Sequence, residues 1–155
     1  MLNYRIAPAD NSHIQPIAAN MRVADRREVW ASHRHTPFDA LHYSLKHSER
    51  AWTAFIDEEP VLMWGVGRQG CILNDTGSPW LLGADGLKPG EKEFIRQSRR
   101  WVALMQEGYE RLENYVHAEN RLSIRWLTWC GFEMSKEPTQ FHGEDFYFFW
   151  RDADV

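Results

Sequence analysis

The twenty residues from Glu113 to Phe132, ENYVHAENRLSIRWLTWCGF, constrain the fold of this chain more than any other stretch. Leu112 to Ala118 has the residue types of a strand, and Asn120 marks a sharp turn. From Arg121 to Cys130 apolar residues recur at helical spacing, and Gly131 stands where a left-handed C-terminal cap would end the helix. A strand that turns straight into a helix implies a sheet with that helix on one face, because neither element buries its apolar side alone. The Asn120 side chain is expected to cap the helix.

The remaining segments fit the same plan. Residues 3–7 read as a first strand, and Asn11 or Ser12 as the cap of a helix in which Ile14, Ile17, Ala18 and Met21 share a face. Asp25 followed by Glu28 has the spacing of a second cap, opening a short segment through Val29 and Trp30. Thr36-Pro37-Phe38-Asp39 starts another helix, with threonine as cap and proline in its first position. Ala51–Ile56 and Val61–Val66 read as a hairpin joined by Asp57-Glu58-Glu59-Pro60, where proline and acids interrupt the ladder. Gly65, Gly67 and Gly70 are expected to break its second strand, and residues 71–77 to form a loop or poor edge strand. Pro79–Leu82 begins another strand, ending in the glycine-rich segment Gly83–Gly90. The longest helix follows, with Phe94, Ile95, Ser98, Trp101, Val102 and Met105 in one stripe. Phe132 to Trp150 closes the chain as a hairpin turning near Gly143. The order β, α, α, β-β, β, α, β, α, β-β implies an α/β architecture with a mixed, mostly antiparallel sheet and helices on its faces.

With 155 residues the chain suffices for one domain and is short for two, so residues 1–155 are read as a single domain. A formal charge of −4 lacks the basic footprint of a nucleic-acid binder, and nucleic acid is not an expected partner. No apolar run approaches the roughly 20 residues a membrane-spanning helix needs, and the N-terminus lacks a signal-peptide pattern. Cys71 and Cys130 have no metal or redox spacing; Cys130 is read as a small buried thiol.

Asn120, Ser123, Ile124, Gly131 and Phe132 resemble the closing motif of the GNAT fold, the fold of N-acyltransferases that use acyl-coenzyme A. Across more of the chain, Met21–Ala31, Thr36–Leu45, Ser78–Asp85, Phe94–Val102 and Glu113–Leu127 resemble a GNAT-like family of tailed-phage proteins. Members are similar to the small internal virion (core) protein of T7-like phages. This resemblance implies a structural or assembly-associated role among phage virion proteins. It also implies synthesis in the host bacterial cytoplasm and a place in the particle's assembly or contents, including the virion; a homo-oligomer is compatible with the chain, whose sequence does not fix the oligomeric state.

The GNAT resemblance implies acetyl-CoA as cofactor and Gly83, Gly86, Gly90 and Asn120 as its binding residues. Three departures argue for a degenerate site and no cofactor. The glycine spacing differs from the family pattern, Pro89 removes a donor, and Glu91 and Glu93 fall in the first helical turn, where they repel a diphosphate. Leu127 stands where such enzymes often place an acidic tyrosine. The fourth strand has no carboxylate, which leaves Asp85 at its end and His117 on the fifth strand as candidate catalytic bases for the alternative, an active N-acetyltransferase acting on an amine.

Other patterns carry less. His33, His35, His42 and His47 lack metal-site spacing, and no metal is expected. Arg96, Arg99, Arg100 and Arg111 read as a solvated basic face paired with Glu107 or Glu110. The run Phe146–Trp150 reads as a strand buried on both faces, with an outer face turned to a partner as the alternative.

Overall fold

The computed structural model describes residues 2–69 and 75–154. Strand β1 (Tyr4–Pro8) is followed by a 3-10 turn (Asn11–His13) and three helices, α1 (Ile14–Ala19), α2 (Val23–His33) and α3 (Pro37–Lys46). Strands β2 (Arg50–Ile56), β3 (Glu59–Arg68) and β4 (Thr76–Gly83) come next, then a second 3-10 turn (Asp85–Gly90) and α4 (Glu91–Gln106). The chain ends with β5 (Arg111–His117), α5 (Arg121–Trp129), β6 (Glu133–Met134), β7 (Thr139–Phe141) and β8 (Glu144–Asp152). These strands form one sheet in the order β1-β2-β3-β4-β5-β8-β6, with β7 also on β8. Among the described residues β4 and β5 form the only parallel pair of neighbours. The sheet is therefore mixed and mostly antiparallel, as the element order implies.

Period-two alternation sends neighbouring β3 side chains into two cores. Met63 joins Ile14, Ile17, Met21, Leu41 and Leu82 beneath α1–α3. Trp64 joins Phe94, Val102, Leu127 and Phe149 beneath α4 and α5. In this second core the rings of Trp52, Trp64, Trp101 and Phe94 lie 5.4–6.3 Å apart, and Phe94 stacks on Trp126. Truncating one such ring to alanine costs about 3–5 kcal/mol.

Several elements differ from the expectations. The β2–β3 turn is only Asp57-Glu58, both at positive φ, so Glu59 and Pro60 enter the ladder opposite Ile56 and Phe55. A register shift between Ala54 and Phe55 accommodates the proline. Gly65 and Gly67 do not break β3. A Cβ on them would lie 2.6 Å from the Arg50 carbonyl oxygen and 2.4 Å from that of His47, so they let backbone pack on backbone. β4 begins at Thr76 rather than Pro79. Cys71 and most of the expected loop lie outside the described residues.

The α5 terminus follows expectation. Gly131 takes φ +89°, its N–H donates to Thr128 O, and the Phe132 N–H donates to Leu127 O, a Schellman end. Cys130 is buried, and burial pushes its thiol pKa up. In β8, Phe146 and Phe149 are buried while Tyr147, Phe148 and Trp150 are half-buried, so the strand is not enclosed on both faces. The basic residues pair otherwise than expected: Arg96 with Glu93, Arg111 with Asp152 and Glu113, and Arg99 over the Trp129 ring.

Candidate functional site

β4 and β5 pair only at their first residues, Thr76 with Arg111 and Gly77 with Leu112. Gly77 allows that approach, since a Cβ there would meet Tyr109, Val66 and Leu112 within 3.0 Å. Beyond this base the two strands part. The Asn114 side chain donates to Pro79 O (2.8 Å) at the fork. Ahead of it a cavity of about 600 Å³ reaches from Ser32, Tyr43 and His47 on one side of the sheet to Trp126, Leu127 and Phe149 on the other.

β4 presents polar backbone to this cleft. Pro79 O accepts from Asn114, while Gly83 donates to Asp25 and accepts from the Arg22 N–H, so both residues turn their polar groups away from β3. Alternation gives Leu81, between them, the same orientation, with its N–H and C=O directed into the parted strands. The Trp126 indole lines the same cleft, and its buried Nε1–H has no partner among the described residues.

The chemically distinctive feature is a pair of acids on α2. Arg22, not Asp25, is the N-cap residue, so the helix begins at Val23 and both acids fall inside it. Asp25, Glu28, Val29 and Ser32 follow i, i+3, i+4, i+7 spacing and share the inward face. Asp25 is fully buried. Its Oδ1 accepts from Arg22 (3.1 Å) and Asn120 Nδ2 (3.1 Å), and its Oδ2 from the Gly83 N–H (2.9 Å). Glu28 lines the cleft; its Oε1 accepts from the His117 N–H (2.8 Å) and Asn120 Nδ2 (3.4 Å). The acids thus tie α2 to the ends of β4 and β5 and to the start of α5.

Burial, and then the nearby Asp25 charge, push the Glu28 pKa from its usual 4.5 to about 8. Burial also pushes Asp25 up, against the Arg22 charge and the three hydrogen bonds. The ion pair and the three donors favour the charged form of Asp25, whereas Glu28 has fewer donors and the Asp25 charge beside it, both of which favour its protonated form. A carboxyl that gains and loses a proton near neutrality, at the wall of a cleft, has the properties of a general acid–base group.

The residues singled out from sequence lie as follows. Asp85 is exposed at the start of the second 3-10 turn, with its N–H on Asn20 O, and does not line the cleft. His117 is buried with both ring nitrogens engaged: Nε2 lies 2.7 Å from Glu144 Oε1, and Nδ1 accepts from the Glu119 N–H (3.1 Å). Its contribution to the cleft is the backbone N–H that holds Glu28. Asn120 is 1% exposed and makes no side-chain cap; its amide bridges Asp25 and Glu28 instead, a correction to the capping expectation. Leu127 lines the cleft without a proton to give.

Gly83, Gly86 and Gly90 face protein. A Cβ on them would meet Leu62 at 3.2 Å, Val61 at 3.1 Å and Ile56 at 2.7 Å, respectively. In the turn they frame, the N–H groups of Asp85, Leu87 and Glu91 already donate to Asn20, Ala84 and Lys88 carbonyls, and Pro89 has none to give. Helix α4 opens with Glu91 and Glu93. The hollow beside it, lined by Arg22, Gly83, Glu91 and Trp126, measures about 40 Å³, close to one water's share of liquid volume. The turn thus presents spent N–H groups and two acids, whereas the cleft of about 600 Å³ presents the Leu81 backbone.

On the α2–α3 side His33 and His35 stack (5.6 Å), and burial, with His35 and His142 nearby, holds the His33 pKa below its usual range. Among the described residues no group of three or more His, Cys, Asp or Glu is placed to hold a metal ion, and no helix is long and apolar enough to cross a membrane.

No protein-family model and no curated protein matches the sequence. Solved structures match its fold. A putative phosphinothricin N-acetyltransferase superposes with TM-score 0.71 at 15% identity, covering 99% of this chain and 100% of that one. A GNAT-family acetyltransferase from Streptococcus pneumoniae gives 0.64 at 10% identity over 98% and 100%. A spermidine N-acetyltransferase from Vibrio cholerae, in complex with CoA and spermine, gives 0.68 at 14% identity over 96% and 95%. The chain has the GNAT fold, and identities this low carry the fold alone.

Proposed function

We propose that this protein is an N-acyltransferase in which Glu28 is the general base, in place of Asp85 or His117. The observation that carries this reading is the Glu28 carboxyl, raised to about 8 and facing the cleft where β4 and β5 part. In the reaction the amine nitrogen attacks the thioester carbonyl, a C–N bond forms and the C–S bond breaks. The proton lost from nitrogen passes to ionised Glu28 and on to solvent, while the departing thiolate takes a proton from solvent. Leu127 at the cleft wall gives the thiolate no proton, so catalysis rests on positioning and on Glu28. The amine is expected from the α2–α3 side, past Tyr43, Trp80 and Phe141, whose ring faces suit an organic cation. Among the fold neighbours, the Vibrio cholerae enzyme holds CoA and spermine together, which supports the reaction class.

The test is thiol release from an acetyl thioester with a panel of primary amines, comparing wild type with Glu28→Gln. Loss of a general base should lower the rate by about 10²–10⁴-fold in a variant that stays folded. Equal rates, or no release from wild type with any amine, would end this reading.

A second reading has its own observation. Tyr115 is 39% exposed and packs on Phe141 and Phe148, Phe148 stacks on Trp150, and Arg111 lies over Trp150, giving β5–β8 an aromatic outer face suited to a protein contact. Together with the resemblance to internal virion proteins, this supports a structural or assembly role in a phage particle. In that reading the protein is made in the host cytoplasm, and the same face contacts virion proteins or a second copy. Mass spectrometry of purified particles tests it, and absence of the protein there would remove the virion role.

A further inference from the structure

We infer that the acyl donor is held by its pantetheine-type arm alone, and that the nucleotide diphosphate of a coenzyme A thioester contributes nothing to binding. This rests on the acyl-transfer reading above, and concerns what carries the acyl group. A diphosphate is held at a helix start by several free backbone N–H groups and the positive end of the dipole. Here three features of the chain act against such binding. Asp85, Leu87 and Glu91 spend their N–H groups on carbonyls, and Pro89 contributes none. The inward sides of Gly86 and Gly90 are filled by Val61 and Ile56, so the turn is packed onto the core rather than hollowed outward. Glu91 and Glu93 place two negative charges on the first turn of α4.

The cleft keeps what the arm needs. A cavity of about 600 Å³ opens where β4 and β5 part, and the Leu81 backbone faces it. An arm bearing amides and a thioester carbonyl can pair with that backbone. The shared chemistry is therefore an S-acyl pantetheine. It can arrive free in solution or attached through a single phosphate to a carrier protein, and an acidic carrier would find Lys88, Lys92, Arg121 and Arg125 exposed near the α4 and α5 starts.

Calorimetry with CoA and with pantetheine, beside transfer assays using acetyl-CoA, S-acetylpantetheine and the acetylated arm on an acyl carrier protein, tests this. CoA and pantetheine should bind within about threefold of each other, and kcat/KM should change by no more than that when the nucleotide is removed. The double variant Glu91→Gln/Glu93→Gln should leave the affinities for CoA and for pantetheine each within about threefold of wild type, since a diphosphate that is not held at the turn does not sense these charges. A carrier-borne arm used at least tenfold better than free S-acetylpantetheine would assign the source to a carrier; equal use would assign it to the free thioester. CoA binding 100-fold tighter than pantetheine would overturn the inference while leaving acyl transfer standing. Equal binding without transfer would instead sink the acyl-transfer reading and keep the inference about the cleft. Absence of binding by either compound at millimolar concentration would end both.

Discussion

Replacing Glu28 with Gln should stabilise the protein, increasingly so as pH rises. In the folded chain the Glu28 carboxyl titrates near about 8 rather than 4.5. Below 4.5 it is protonated in both folded and unfolded chains and costs nothing. Above 4.5 the unfolded chain releases that proton while the folded chain retains it, so stability falls with rising pH until the folded carboxyl also ionises near 8. At about 1.4 kcal/mol per unit, the ceiling of this loss is about 5 kcal/mol. Relaxation around the cleft and the spreading of charge with Asp25 reduce the expected effect to about 2 kcal/mol. Glutamine keeps the oxygen that accepts from the His117 N–H and Asn120, so no donor is orphaned by the change. Chemical denaturation of both proteins at several pH values between 4.5 and 8.5 checks this. The two should agree within about 0.5 kcal/mol at the acid end and diverge to about 2 kcal/mol at pH 8, or roughly 4–8 °C in Tm for a chain of this size. A difference independent of pH, or a variant less stable than wild type at pH 8, would show that Glu28 is comfortably ionised and refute the reasoning.

Three further outcomes follow from the same contacts. Asn120→Ala removes the amide bridging Asp25 and Glu28, and should cost about 1–3 kcal/mol by denaturation; it should also extend the loss of stability with rising pH to a higher pH, because Glu28 loses a donor to its charged form and its folded pKa rises further. Gly67→Ala places a Cβ 2.4 Å from the His47 carbonyl oxygen and should cost at least about 2 kcal/mol, whereas Gly131→Ala has room and should lose only the left-handed strain of about 1–2 kcal/mol, read as their difference in denaturation midpoint. In a Cys71→Ser background, Cys130 should resist a water-soluble thiol reagent until the protein is unfolded, since it is buried and its thiol pKa is raised; rapid labelling of the native protein would contradict that.

Glu113–Phe132 could be read from sequence because its signals are local: strand residues, helical spacing and a glycine obliged to positive φ. The Thr36-Pro37 helix start was legible for the same reason, and Thr36 does accept from the Asp39 N–H. The β2–β3 turn was misplaced because Glu59 and Pro60 look like turn residues, yet a register shift between Ala54 and Phe55 carries them into the ladder. The site was hidden more deeply. Asp25-x-x-Glu28 imitates a helix cap, and only the position of Arg22 as N-cap reveals both acids as inward-facing. Two acids at i and i+3 in line with Val29 and Ser32, where a helix ordinarily places apolar residues, were the available sign. Nothing local could pair them with Asn120, which is about ninety positions away and meets them only because the sheet brings β5 beside β4.

The most direct test of Glu28 as the base is the pH dependence of kcat/KM for acyl transfer to an amine whose own pKa lies well outside the range. The rate should rise with pH to a plateau with a midpoint near about 8, and the Glu28→Gln residual rate should lack that limb. A midpoint near 6.5 would transfer the role to a histidine, and a flat profile across the range would leave Glu28 without a part in the chemistry.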